Sequence, residues 1–326
     1  MRNDFNILNS IGNTPLVELC HVVPDGCARI LLKLESHNPT GSMKDRMARA
    51  VITGAVSRGE LVPKGTVVEY TGGSTGTSLA FVCAVMGFHL SIVTSDAFSR
   101  EKRDHMRALG AQVLELPSDG GKTTKELIQR MIARAKELSA SPNSFFADQF
   151  NNPDAASGYA SMAEEIWEQS GQKVNAFVQS VGTAQCITGA AGALRKLNNS
   201  IHIIAVEPFE SPVLSGGQPG PHKIEGVGPG FIPPIWLEHL ADEIIQISTI
   251  DAKEMARRLA REEAIFAGTS TGANVLAAIK VAARLGSGQT VVTVACDSGL
   301  KYLSTDLYSF TDPNGNEYAV WSDKDA

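Results

Sequence analysis

Short apolar runs rich in β-branched residues alternate along the chain with longer stretches whose apolar positions recur at helical spacing. The runs predict strands over 30–34, 66–71, 90–94, 111–116, 176–181, 201–206, 243–247 and 290–295. Helical periodicity between them predicts helices over 42–57, 76–86, 100–109, 123–138, 155–169, 251–264 and 273–285. Strands this apolar, alternating with helices, predict an α/β protein with mostly parallel sheets flanked by helices. A change of character near 141–153 separates a front half from a back half. The Gly- and Pro-rich stretch from Gly216 to Pro234 is too long for an ordinary connection, and such loops are often functional. Ligand sites in such sheets lie where strand C-termini feed helix N-termini, so the Gly-, Ser- and Thr-rich loops there hold the candidate chemistry.

Composition narrows the class. The 326 residues are 43% hydrophobic, enough for a large core and about two domains by length. The net charge of −6 comes from scattered groups without a long basic run, which argues against a nucleic-acid or membrane surface. Five cysteines, odd in number and without a C-x-x-C pair, disfavour zinc sites and disulfide frameworks and fit a reducing compartment. No continuous apolar signal segment opens the chain and no run of 18 apolar residues occurs, so a soluble cytoplasmic protein is expected. Asn198-Asn199-Ser200 reads as a chance sequon.

Lys44 is the first candidate. It lies in Asn38-Pro39-Thr40-Gly41-Ser42-Met43-Lys44-Asp45-Arg46, between a strand and a helix, with Ser42 and Asp45 at capping-box-like spacing. In the first helical turn the dipole disfavours a cation, which suits an amine nucleophile. The bland alternative is a solvated lysine on an amphipathic helix. Three loops follow predicted strands or open predicted helices: Tyr70-Thr71-Gly72-Gly73-Ser74-Thr75-Gly76, Ser180-Val181-Gly182-Thr183-Ala184-Gln185-Cys186-Ile187-Thr188-Gly189, and Gly268-Thr269-Ser270-Thr271-Gly272. Each alone could be an ordinary capped turn; together they favour a phosphorylated polar ligand.

Rival motifs are weaker. Gly121-Lys122-Thr123 resembles the end of a P-loop, but Leu116 occupies the required glycine position. No G-x-G-x-x-G follows a first strand. Gly72-Gly73-Ser74-Thr75-Gly76 also fits a hydrolase nucleophile elbow on Ser74, with His89, His105, His202, His222 and His239 downstream. The similar motif at Ser270 has no histidine after it and follows a helix, which excludes it.

Read together, the segments resemble the cysteine synthase and cystathionine β-synthase family of pyridoxal-phosphate enzymes, fold type II. The resemblance runs from Ile11-Gly12-Asn13-Thr14-Pro15-Leu16 to Tyr302-Leu303-Ser304-Thr305, and is most specific in those opening residues, in the block from Lys33 to Arg46 and in His222 to Pro233. It implies a smaller mobile domain over 38–145 and a larger cofactor-binding domain from 1–37 with 146–326. It implies pyridoxal 5′-phosphate as cofactor, no metal, and Lys44 as the lysine that carries the cofactor and the proton. Thr71, Gly72, Gly73, Thr75 and Gly76 match the loop that grips the substrate carboxylate, with Gln149 joining them. Gly182, Thr183, Ala184, Gln185 and Cys186 match the cofactor-phosphate loop, Ser74 falls near the cofactor, and Ser270 faces the ring nitrogen.

The activity implied is β-replacement on an activated serine or cysteine-like amino acid through an aminoacrylate, with sulfide or a thiol as nucleophile, in a homodimer. β-Elimination, a catalytically degenerate regulatory homologue and a serine hydrolase on Ser74 are the alternatives. Both loops depart from the family pattern. T-S-G-N-T-G becomes Thr71-Gly72-Gly73-Ser74-Thr75-Gly76, and G-T-G-G-T becomes Gly182-Thr183-Ala184-Gln185-Cys186. Ser161-Met162-Ala163-Glu164-Glu165-Ile166 also replaces the usual T-T-G-P-E-I.

Overall fold

The computed structural model describes residues 6–121 and 124–309. In chain order the strands are β1 (Leu16–Glu18), β2 (Arg29–Lys33), β3 (Thr66–Tyr70), β4 (His89–Ser95), β5 (Gln112–Leu116), β6 (Ser144–Phe146), β7 (Ala176–Ser180), β8 (His202–Pro208), β9 (Glu243–Ile247) and β10 (Thr290–Val294). The helices are α1 (Lys44–Ser57), α2 (Ser74–Met86), α3 (Arg100–Ala108), α4 (Lys125–Ser139), α5 (Pro153–Ser157), α6 (Ala160–Gln169), α7 (Gln185–Leu197), α8 (Thr249–Glu262) and α9 (Thr269–Leu285).

Two sheets form, as the alternating pattern predicts. The larger has the order β1-β2-β10-β7-β8-β9, parallel except for β1, which pairs antiparallel with β2. The smaller has the order β5-β4-β3-β6 and is parallel throughout. All five residues of β7 and of β10 are buried, because helices cover both faces of the larger sheet and β-branched side chains fill the pleats. On the smaller sheet, α4 covers one face through Leu127, Met131 and Ala135, packed on Val68, Tyr70 and Val93.

Strand order decides which loops meet. In the larger sheet β2, β10 and β7 are neighbours, so the loops after all three open at one edge. In the smaller sheet β6 adds on the side of β3 away from β4, and the loops after β3 and β6 adjoin. Both are switch points of the kind that bind ligands in α/β sheets.

Several elements differ from expectation. β1 and β6, each three residues long, were not predicted, and α7 lies outside the predicted helices. β6 straddles the expected boundary at 145 and belongs to the smaller sheet. The helix predicted over 155–169 is two helices, broken at Gly158, where a Cβ would lie 2.7 Å from the Arg46 carbonyl oxygen of α1. The predicted start of the fourth helix, Thr123, and Lys122 of the failed P-loop match lie outside the described residues; α4 is capped by Thr124, whose hydroxyl accepts from Leu127 N at 3.2 Å. Among the described residues no helix is long and apolar enough to cross a membrane, and no group of His, Cys, Asp or Glu could hold a metal.

Candidate active site

The lysine loop leaves β2 and is laced to the chain leaving β10. Met43 N donates to Cys296 O at 2.9 Å, Ser298 N donates to Gly41 O at 2.9 Å, and Ser42 bridges to Asp297. Lys44 is the first residue of α1 and half-buried. Its amine has no hydrogen-bond or ion-pair partner among the described residues. The expected capping box is not made. Met43 holds the N-cap position, Ser42 Oγ accepts from Lys44 N at 3.2 Å, and Asp45 turns back to Thr40, accepting from its N at 2.8 Å and its hydroxyl at 2.6 Å. Asp45 is buried beneath the turn it stabilises; burial pushes its carboxyl up, opposed by hydrogen bonds from Ser78 and Thr40.

A buried ionic structure fixes α1. Arg46 donates to both Glu35 oxygens at 2.7 and 2.8 Å and to both Glu165 oxygens at 2.8 and 2.7 Å. Lys33 adds an ion pair to Glu165 at 2.7 Å and a hydrogen bond to Thr14 O at 2.6 Å. Gly12 N and Asn13 N donate to Asn38 and Glu165 side chains. The opening motif and the lysine block are thus one unit, and the departure at 161–166 supplies its far wall, since Ser161 Oγ also accepts from Arg46 at 3.0 Å. Burial raises the Glu165 carboxyl, but hydrogen bonds and charge from Arg46 and Lys33 bring it down to about 2.

The loop after β3 meets the loop after β6. Thr75 Oγ1 donates to Gln149 Oε1 at 2.7 Å, and Gln149 Nε2 donates to Tyr70 O at 2.9 Å. Beneath them Glu69, fully buried, accepts from Tyr70 N at 2.8 Å and Gln149 N at 2.9 Å; burial pushes its carboxyl up to about 8. Gly73 has φ +151°, open to glycine, and a Cβ there would lie 2.2 Å from Lys102 Cδ. A Cβ on Gly72 already comes within 2.7 Å of the Phe98 ring. The glycine at position 72 therefore has a steric reason. Lys102 is buried and pairs with Glu225 at 2.6 Å, its ammonium 4.2 Å above the Tyr302 ring. Ser74 Oγ donates to Asp297 Oδ2 at 3.2 Å, and Tyr302 OH donates to the same oxygen at 2.8 Å. No histidine bonds to Ser74 among the described residues, so the hydrolase triad does not assemble.

The loop after β7 is pressed against the Gly-rich stretch. A Cβ on Gly182 would lie 2.2 Å from Gly226 O, and Gly228 N donates to Val181 O at 2.9 Å. Ala184, at φ 63°, precedes α7 and offers no side-chain cap, which leaves the helix N-terminus open to an anion. Gln185 and Cys186 are buried in its first turn, and Thr183 is half-buried. Ser270 opens α9 with its hydroxyl against the Cys296 thiol, which also accepts from Asn274 Nδ2 at 3.4 Å. Burial pushes up the Cys186 and Cys296 thiols, while the nearby Lys44 charge pulls both down. Lys44, the loop at Cys186 and the neighbourhood of Ser270 therefore converge.

This donor set fits a phosphorylated pyridine aldehyde. An unpaired amine faces the uncapped α7 terminus, and the side-chain oxygens of Ser180, Gln185 and Thr188 near that loop are buried without a hydrogen-bond partner. The family model described as "Pyridoxal-phosphate dependent enzyme" matches residues 7–297. The chain belongs to that family. Within it, the enzyme is 43% identical over 309 residues to a cysteine synthase from Staphylococcus aureus, covering 94% of this chain and 98% of that one. Its fold matches O-ureido-L-serine synthase at a TM-score of 0.88 and 34% identity, over 98% of each chain. It matches the cysteine synthase of Entamoeba histolytica at 0.86 and 39% identity, over 98% of this chain and 95% of that one. This pyridoxal-phosphate enzyme is therefore of the cysteine synthase group with fold type II architecture.

Reading the sequence alone missed Glu69 and Lys102, and placed Asp297 beside a loop near the cofactor ring without giving it a role. Of the two missed, only Glu69 left a signal there, as a lone charge inside the apolar run Thr66-Val67-Val68-Glu69-Tyr70.

Proposed function

We propose that the enzyme carries out β-replacement on an activated serine or cysteine-like amino acid, with sulfide or a thiol as nucleophile. The convergence of an unpaired Lys44 with the loops after β3, β7 and β10 carries this reading, and the names of the cysteine synthases it resembles support the sulfur nucleophile. Pyridoxal phosphate, when bound, supplies an electrophilic carbon for the donor amine and a conjugated ring that takes up charge while groups leave Cα and Cβ. Lys44 Nζ holds the cofactor and, once released, takes the α-proton.

Backbone N–H groups of Gly182, Thr183, Ala184, Gln185 and Cys186 hold the phosphate at the α7 terminus. Ser270 presents a neutral hydroxyl to the ring nitrogen, which does not enforce its protonation and favours β-chemistry over transamination. Thr71, Gly72, Gly73, Thr75 and Gly76 grip the donor carboxylate with Gln149, and Ser74 borders the cofactor side of that loop. The smaller domain, over 38–145 with β6 added, closes on the donor and excludes water. A cytoplasmic homodimer is the working form in this reading, checked by sedimentation.

The test is spectroscopic and chemical. The purified enzyme is expected to absorb in the visible range, to change its spectrum with O-acetyl-L-serine, and to form a β-substituted product when sulfide is added. Lys44→Ala should lower turnover about a thousandfold or more. Pyruvate released equally fast with and without a thiol would overturn replacement in favour of elimination.

A further inference from the structure

Gln185 stands where the family pattern has a glycine, yet its side chain does not line a surface. It is 1% exposed, and its Nε2 donates to two main-chain carbonyls, Gln149 O at 3.1 Å and Asn152 O at 3.1 Å. Both acceptors lie in the loop after β6, while Gln185 lies in the first turn after the β7 loop. The amide therefore spans from the larger sheet to the smaller. Gln149 is held on its other side as well. Its N–H donates to buried Glu69 at 2.9 Å, and its own amide is engaged by Thr75 and Tyr70. A residue fixed by three side chains, on β3, α2 and α7, can hardly move without moving all of them.

We propose that Gln185 is a positioning residue that couples the donor-carboxylate loop to the cofactor-phosphate loop through the main chain of Gln149. The inference rests on the assignment of those two loops given above. A donor carboxylate that pulls on Thr75 and Gln149 shifts the Gln149 carbonyl, and Gln185 passes the shift to the first turn of α7. A glycine at 185 leaves the two loops independent. Loss of a donor to one buried and one partly buried carbonyl leaves both acceptors short of a partner, a cost that falls chiefly on the arrangement of Gln149.

The experiment compares the wild-type holoenzyme with Gln185→Met, close in length and without an N–H. Two quantities are read: the O-acetyl-L-serine concentration that half-shifts the visible spectrum, and the ³¹P resonance of the bound cofactor before and after saturation. In the wild type the resonance should move on saturation. In Gln185→Met the half-saturating concentration should rise about tenfold and the resonance should stop responding, with cofactor content unchanged. An unchanged concentration and an unchanged response would overturn the proposal. Should Gln185→Met fail to fold or to retain cofactor, Glu69→Gln approaches Gln149 from the opposite side. There a rise in half-saturation with a weakened ³¹P response supports the coupling, and wild-type values for both overturn it. A wild type without a visible band sinks the underlying site assignment instead, a result distinct from either.

Discussion

The lysine side and the substrate side of this enzyme are held by different means. Around α1, Arg46, Lys33, Glu35 and Glu165 form a buried network in which every carboxylate has a cationic partner. Across the mouth, apart from the buried Gln185 amide, the smaller sheet reaches the larger through single contacts: Lys102 to Glu225, Ser74 to Asp297, and Glu101 to Ser304. A buried network breaks only at high cost, whereas single contacts with one partly exposed partner exchange more readily for solvent. Under the proposed function, the difference separates a platform that keeps Lys44 in place from a lid whose contacts are cheaper to remake.

Arg46→Ala gives the largest expected effect on that contrast. It strands Glu35 in the interior, leaves Glu165 with Lys33 alone, and should cost about 3–5 kcal/mol, read from denaturant unfolding of the holoenzyme. Stability within error of wild type would mean that the platform does not depend on its ion pairs. Gly182→Ala should come next, at about 1–3 kcal/mol with weaker cofactor retention, because its methyl meets the Gly226 carbonyl. Lys102→Met should act in the other direction, sparing stability but raising the donor KM about three- to tenfold as the lid loses a tie. An equal fall in kcat with no change in KM would place Lys102 in the chemistry instead.

The pH dependence carries two contributions of opposite sign. Glu165, held near 2 against an ordinary 4.5, adds stability that is present above about pH 4.5 and lost as pH falls toward 2. Glu69, raised to about 8, works the other way: its contribution is greatest below pH 4.5 and is lost as pH rises from 4.5 through 8. Thermal melting from pH 2 to 9 should therefore flatten at the alkaline end in Glu69→Gln and keep its acid limb. An acid limb that disappeared with Glu69 would assign it to the wrong carboxylate.

Much of this enzyme follows from its sequence because strand and helix periodicities act over a few residues. Eight strands, the lysine at a helix start and three hydroxyl-rich loops are legible in that way, and the motif order carries the family. What escaped has a common cause. β1 and β6 are too short for a period, and the capping box failed because Asp45 found better donors at Thr40, a turn away. The break at Gly158 exists only because α1 crosses there. The roles of Glu69, Asp297, Lys102 and Gln185 likewise depend on residues tens to hundreds of positions distant. Local sequence determined which loops could bind charge; strand order in the two sheets decided which of them meet, since adjacency across a sheet is set by long-range burial that no short window contains.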